Sequence, residues 1–276
     1  MRTQDGIIAA VQLNSGDDVA ANLARAGELL TQAAADGAAL AVLPENFAFM
    51  GAHGGDKLAH GEDDGRGPIQ DFLAVAALRL KLWIVAGTVP LSVAGDTQHV
   101  APACLVYDAE GRRVARYDKI HLFDVDVPDS HGERYRESAS LAAGPLTPLC
   151  VNTPLGRLGL SVCYDLRFPE LYRRLVTDGA EILTVPAAFT RRTGRAHWDL
   201  LLRARAIENQ AWVVASAQCG IHPGDRATWG NSLIVDPWGE VLVRRESGEG
   251  VVLATVSRQH QQSLRIGFPV LKHRRL

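Results

Sequence analysis

Three residues with complementary chemistry each stand at a strand end: Glu45 in "AVLPEN", Lys119 in "YDKIHLF" and Cys163 in "GLSVCYD". A thiol acts as a nucleophile when a base takes its proton, and the oxyanion it creates needs a cationic or N–H donor. A carboxylate, an ammonium and a thiol supply one of each. Every one of the three also has a plainer reading. Cys163 is equally a small buried hydrophobe, Glu45 a solvated loop carboxylate and Lys119 a snorkelling surface lysine. Their joint placement at three strand ends is the more specific signal, because ligands of open α/β sheets gather beyond the strand carboxyl ends. A helix start after Cys163 is expected to lower the thiol pKa and to offer backbone N–H groups.

The elements that must hold these residues can be read along the chain. "GIIAAVQL" (6–13) reads as a strand. Asp17 and Asp18 then open a helix with Val19, Leu23, Ala26 and Leu30 near helical spacing, and "AALAVLPEN" (38–46) is a second strand that ends at Glu45. Beyond a Gly/His/Asp-rich loop (51–67), "PIQDFLAVAALRLKL" predicts a helix and "WIVAGTVP" a strand. "HVAPACLVYD" and "RRVARYDKIHLF", joined by "AEG", predict a hairpin that delivers Lys119. Residues 124–148 read as a long irregular loop of the functional kind. "PLCVNTPLGRLGLSVCYD" predicts two strands ending at Cys163, followed by a helix from about Pro169 to Asp178. "AEILTVPAAF", "AWVVASAQCG" and "GVVLATVS" are strands, "AHWDLLLRARAIENQ" is an amphipathic helix, and "GNSLIVDPWGEVLVRR" is a hairpin turning at "DPWG". Strands and helices interleave to the end with no linker or repeat, which predicts one α/β domain over 1–276. The hairpins point to two mixed sheets packed together with helices outside.

Composition removes several function classes. The 276 residues are 47% hydrophobic and 22% charged with a net charge of −2, which gives no electrostatic reason for a nucleic-acid or anionic-membrane partner. No apolar run approaches the roughly 20 residues of a membrane span, and the N-terminus is not expected to be a signal peptide. Four cysteines without a CxxC pair make neither a disulfide framework nor a zinc site, so a cytoplasmic protein with reduced thiols is expected. GxGxxG after a strand, GxxxxGK[ST] and HExxH are all missing. A papain-like pairing of Cys163 with His197 finds no support in the spacing, and His197 and His121 read as structural hydrogen-bonders. The acidic run "FDVDVPD" matches no metal loop.

The segments "LPEN", "YDKIHLFDVDVP" and "GLSVCYDLRFPELYRRL" resemble the three signature segments of the nitrilase superfamily of carbon–nitrogen hydrolases, and the similarity covers nearly the whole chain. The resemblance implies an αββα four-layer sandwich and a catalytic Glu–Lys–Cys triad at Glu45, Lys119 and Cys163. In that scheme Glu45 is the general base, Cys163 attacks the amide carbon, and Lys119 with the backbone N–H of Tyr164 stabilises the oxyanion. A thioester forms as ammonia leaves, and neither a cofactor nor a metal is needed. Glu137 in "YRESASL" matches the family's second glutamate, which holds Lys119 or positions substrate, with Glu133 as the competing choice.

"LLRARAIENQ" and "AQCG" resemble the branch that contains deaminated glutathione amidase and omega-amidase, with a tilt toward the former. The expected partner is a small carboxylated amide. Arg167, four residues beyond Cys163, matches a carboxylate-binding position, and Phe189 and Thr193 match other pocket positions. A structural salt bridge to Asp165 or Glu170 is the competing role for Arg167. Arg191 and Arg192 either add charge at the pocket mouth or face solvent. Omega-amidase, N-carbamoyl amidohydrolase and, in another class, a silent binding protein on the same fold are the rival functions. Family members pair through helices, so the resemblance implies a homodimer or higher homo-oligomer, with a C-terminal tail from about residue 257 in the contact.

Overall fold

Along Gly6–Gln12, Ile8 and Ala10 join one hydrophobic core while Ala9 and Val11 join another. A strand buried on both faces belongs to a sheet covered on both sides, and this strand lies near the middle of the molecule. The structure, a computed structural model, describes residues 5–127 and 134–275.

The first sheet runs in the order Gly250–Val256, Gly6–Gln12, Ala38–Val42, Trp83–Val85, Asp96–Tyr107, Val89–Val93, with Arg113–Asp118 also paired to Asp96–Tyr107. The second runs Val241–Arg245, Ser232–Val235, Trp212–Ala217, Ile182–Ala187, Gly156–Leu160, Cys150–Thr153. Both are mixed. Three adjacent strands in each are parallel, and their flanks are antiparallel.

Ile8, Leu40, Val85 and Val106 of the first sheet share a core with Leu158, Val185, Val214 and Ile234 of the second. Tyr172 and Leu175 of helix Pro169–Thr177 and Leu202 and Ala206 of helix Asp199–Asn209 close that core on its far side. The first sheet's other face, with Ala9, Ala41 and Ile84, buries Ala26 and Leu30 of helix Val19–Ala35 and Leu73 and Ala77 of helix Pro68–Leu80. The layers are therefore helix, sheet, sheet, helix, as the sequence resemblance implied. Among the described residues no helix is long and apolar enough to cross a membrane.

Local chemistry explains the helix boundaries. The Asp18 carboxylate accepts from the Ala21 N–H and caps helix Val19–Ala35. Helix Pro68–Leu80 starts on a proline, where no N–H is needed, and the buried Glu62 carboxylate accepts from the Ile69 N–H at 2.6 Å.

Three segments differ from the sequence reading. "WIVAGTVP" is two strands, Trp83–Val85 and Val89–Val93, broken at Gly87. Gly87 has φ +55°, and a Cβ there would stand 1.9 Å from the Pro44 carbonyl oxygen, so only glycine lets this chain press against the turn that carries Glu45. The described residues of the 124–148 stretch are also not an irregular loop. Asp124–Asp126 and Arg134–Arg136 pair antiparallel with acids opposite arginines, and a short 3₁₀ turn, Glu137–Ala139, follows. Charge complementarity rather than apolar alternation makes this ribbon, which hid it from pattern reading. Finally, the helix read from Ala196 begins at Asp199, after a π turn at Gly194–Trp198.

Candidate active site

Strand Gly156–Leu160 leads to Cys163 through Ser161, whose hydroxyl donates to the Thr184 carbonyl at 2.8 Å and shares a 2.7 Å hydrogen bond with the Tyr172 hydroxyl. Cys163 then turns sharply at φ +49° into a single 3₁₀ turn, Cys163–Arg167. A non-glycine residue in this region is strained, and such strain persists only where surrounding structure enforces it. Asp165 is part of that enforcement, since its carboxylate accepts from the Val162 N–H at 2.9 Å.

The α-helix itself starts at Pro169, not at the thiol. The expected lowering of the thiol pKa by a helix terminus is therefore not what the structure gives. Burial pushes the Cys163 thiol well above its ordinary value, and the Glu45 carboxylate pushes it further, with only Lys119 pulling strongly the other way. Cys163 rests as a thiol and needs a base.

The Lys119 ammonium donates to Glu45 Oε1 at 2.8 Å and to Glu137 Oε2 at 2.8 Å. Its side chain is completely buried. Burial opposes its charge, but Glu137 and Glu45 raise its pKa well above the lysine value, so it stays a cation. Burial likewise opposes the Glu137 carboxylate, yet Lys119 and Lys57 hold its pKa below the usual range. Glu137 also accepts from the Phe123 N–H at 2.8 Å. The structure thus gives Glu137 the position beside Lys119, while Glu133 lies outside the described residues.

Each of these side chains is tied to a different strand end. Glu45 follows Ala38–Val42, its carbonyl accepts from Gln218 Nε2 at 3.0 Å, and the next N–H, of Asn46, donates to Thr88 Oγ1 at 2.9 Å. Lys119 follows Arg113–Asp118, and its N–H donates to the Pro102 carbonyl at 3.1 Å.

Cys163 and Glu45 open into a narrow pocket that Tyr164, Arg167, Phe189 and Thr193 also line. All eight residues read from the sequence as site candidates are therefore together, with Lys119 behind the wall. The competing salt bridge for Arg167 does not form. Asp165 is bound instead to Tyr117, His121 and Val162, and Glu170 makes no ion pair with Arg167. The Arg167 guanidinium donates to His197 Nδ1 at 3.1 Å and lies over the Phe189 ring, 5.2 Å from its centroid. His197 is thus engaged by Arg167, and His121 is held by Asp165 and stacked on Phe168. Arg191 and Arg192 are exposed and lie outside the pocket lining.

Two cations at the site escaped sequence reading. Arg226 lines the same pocket, and Lys57 lies close enough for Glu137 and Glu45 to act on its charge. Arg226 follows "AQCGIHPGD" in a turn and Lys57 sits in a short 3₁₀ helix, Gly54–His60, where no periodicity marks either. The glycines and proline around them signalled turns but not which side chain points inward.

Comparison with known proteins agrees with this geometry. The family model described as carbon-nitrogen hydrolase matches residues 7–266. A Yersinia enterocolitica protein named deaminated glutathione amidase is 41% identical over 97% of this chain and 92% of its own length. The Caenorhabditis elegans NitFhit structure superposes with a TM-score of 0.91 at 36% identity, covering all of this chain and 66% of that one. The structure of Saccharomyces cerevisiae Nit3, a member of branch 10 of the nitrilase superfamily, gives 0.86 at 29% identity over 99% of this chain and 97% of that one. The chain belongs to the carbon–nitrogen hydrolase family, within the nitrilase superfamily.

Proposed function

We propose that this hydrolase cleaves the amide bond of a small carboxylated acyl compound through a thioester on Cys163, with deaminated glutathione as the preferred substrate. The observation that carries the reading is the buried Lys119 ammonium, 2.8 Å from both Glu45 and Glu137, beside a pocket that holds Cys163 and Arg167, which has no carboxylate partner among the described residues. The relatives' name supports the choice of substrate.

Glu45 takes the Cys163 proton as the sulfur adds to the amide carbon. The carbonyl oxygen becomes an oxyanion, held by the Lys119 ammonium and the Tyr164 N–H. Collapse breaks the C–N bond, and the leaving amine takes the proton from Glu45. Water then gives a proton to Glu45 while its oxygen adds to the thioester, and collapse releases the acid and restores the thiol. Glu137 positions Lys119 and spreads the negative charge that faces it. Phe189 and Thr193 shape the acyl pocket, and Arg167 pairs with the acyl group's carboxylate.

The product depends on the substrate. Deaminated glutathione holds no primary carboxamide; its scissile amide is substituted on nitrogen, so cleavage releases cysteinylglycine, whereas a primary ω-amide such as 2-oxoglutaramate releases ammonia. The ammonia expected from sequence therefore applies only to the second class. Chromatographic assay of deaminated glutathione, 2-oxoglutaramate and an N-carbamoyl amino acid tests the reading. Cysteinylglycine release is expected with the highest kcat/KM. A ratio near one against 2-oxoglutaramate, or carbon dioxide from the carbamoyl compound as the best reaction, contradicts it.

We also propose that two copies pair. Support comes from Trp238 and Phe268, which touch edge to face yet are 59% and 51% exposed, with the exposed Ile207 against Gly239 next to them. Phe268 belongs to the tail expected at the contact. A monomeric mass in light scattering contradicts this. A cytoplasmic location is supported by the four cysteines, all free thiols.

A further inference from the structure

The Cys163 pocket adjoins a wider groove of about 1260 Å³, mouth included, and the two share Glu137 and Arg226 in their walls. The groove is rich in cations. Lys57, Arg134, Arg136 and Arg226 line it against the carboxylates of Glu137 and Asp225. Most of these charges are already matched. Glu137 is held by Lys119, and Arg134 and Arg136 both pair with Asp126. Arg226 is different: among the described residues its Nε is buried without a hydrogen bond, and its guanidinium lies over the face of Tyr135, 5.3 Å from the ring centroid. No ion pair to Arg226 or to Lys57 forms among the described residues, although Asp225 is adjacent in the chain.

An arginine left in this state is not on a loose loop. The hairpin Cys219–Ile221/Ala227–Trp229 presents it at its turn, and His222 fixes that turn through the Ser15 carbonyl at 2.8 Å and the Thr228 hydroxyl at 2.7 Å. The His222 N–H donates to the Arg226 carbonyl at 2.9 Å, and the Trp229 N–H to the Phe189 carbonyl at 2.9 Å, so the hairpin is stitched to the wall of the acyl pocket. A buried donor without a partner is costly to the free protein, and it is retained at a fixed point between the reactive thiol and the open groove.

We propose that Arg226, with Lys57 beside it, is an anion subsite for a second carboxylate, carried on the amine side of the scissile amide. This rests on the amidase reading for which side of the bond enters the groove. The acyl group fills the narrow pocket, where Arg167 takes its carboxylate, and the leaving amine extends toward the groove past Arg226, which lines both. The substrate class is then an acyl amide whose amine bears its own carboxylate, a peptide-like leaving group. A primary amide leaves the subsite empty. Two arginines in one pocket wall with the thiol give the site a ruler for dicarboxylates, and Arg226, which also lines the groove, is its specificity-determining end.

The test compares deaminated glutathione with the same compound carrying a C-terminal glycinamide, in wild-type, Arg226→Gln and Arg226→Lys proteins. Wild type is expected to favour the carboxylate form, and Arg226→Gln to lose roughly 10- to 100-fold of that preference in kcat/KM, the worth of a charge-assisted hydrogen bond. Arg226→Lys, which keeps the charge, is expected to recover part of it. Calorimetric binding of both compounds to Cys163→Ala protein, with and without Arg226→Gln, reads the subsite without turnover. Equal binding of the two compounds, binding of neither, or equal losses on both in Arg226→Gln overturns the subsite. Turnover of neither compound by wild type, with the binding difference intact and lost in Arg226→Gln, overturns the amidase reading and supports the subsite.

Discussion

Asp165, completely buried beneath the nucleophile's turn, accepts a 2.7 Å hydrogen bond from the hydroxyl of Tyr117, two residues before Lys119. The same carboxylate takes the Val162 N–H at 2.9 Å and both the N–H and the ring of His121 at 3.1 and 2.7 Å. One acid thus clips the Lys119 segment to the Cys163 turn. Asp165→Asn places an amide N–H₂ against donors, which costs about 1–3 kcal/mol for each group left unpaired. Thermal unfolding is expected several degrees lower, with kcat reduced more than KM is raised, because the oxyanion donor and the sulfur no longer share one geometry. A lowered melting temperature with unchanged kcat would make Asp165 a stability residue only.

The resting thiol supplies a second prediction. Burial and Glu45 keep the Cys163 pKa well above that of free cysteine. Ultraviolet titration of wild type against Cys163→Ala protein should therefore show no Cys163 thiolate at neutral pH. Glu45→Gln removes a charge that raises this pKa and leaves Lys119, which lowers it. Its thiolate step is expected at lower pH while turnover falls. A Cys163 thiolate already present at pH 7 in wild type contradicts the base role of Glu45.

Arg167 makes no ion pair with Asp165 or Glu170, so its removal should cost the fold little. Arg167→Gln is expected to change stability by no more than about 0.5 kcal/mol, as at other surface-facing positions. KM for a carboxylated acyl amide should rise roughly tenfold or more. A large loss of stability with unchanged KM returns Arg167 to a structural role.

Gly87 presses on the turn that carries Glu45, with φ +55° and the Pro44 carbonyl where a Cβ would go. Gly87→Ala is expected to destabilise by roughly 1–3 kcal/mol and to cut kcat by displacing the base. Circular dichroism melting and steady-state kinetics check both. Wild-type values for this variant would show that the turn adapts freely.

The sequence made the reacting groups legible because catalysis restricts residue type at strand ends. Glu45 and Cys163 each follow an apolar run, and Lys119 the hairpin strand Arg113–Asp118, which fixes where each side chain emerges. The layered fold was legible for a related reason, since strands buried on both faces read as continuous apolar runs and the covering helices keep their 3.6-residue period. What stayed hidden depends on contacts between distant segments. The thiol's raised pKa comes from Glu45 and burial, 118 positions away in the chain. The Asp124–Asp126/Arg134–Arg136 ribbon is held by charge, and Arg226 and Lys57 reach the site from turns whose direction no local pattern encodes.

The central claim is that Cys163 carries the acyl group. Wild-type and Glu45→Gln proteins should be mixed with deaminated glutathione, quenched in acid and analysed by peptide mass spectrometry. An acyl adduct is expected on the Cys163 peptide, released by hydroxylamine and missing from Cys163→Ala protein. An adduct at another residue, or full cysteinylglycine release by Cys163→Ala protein, would contradict it.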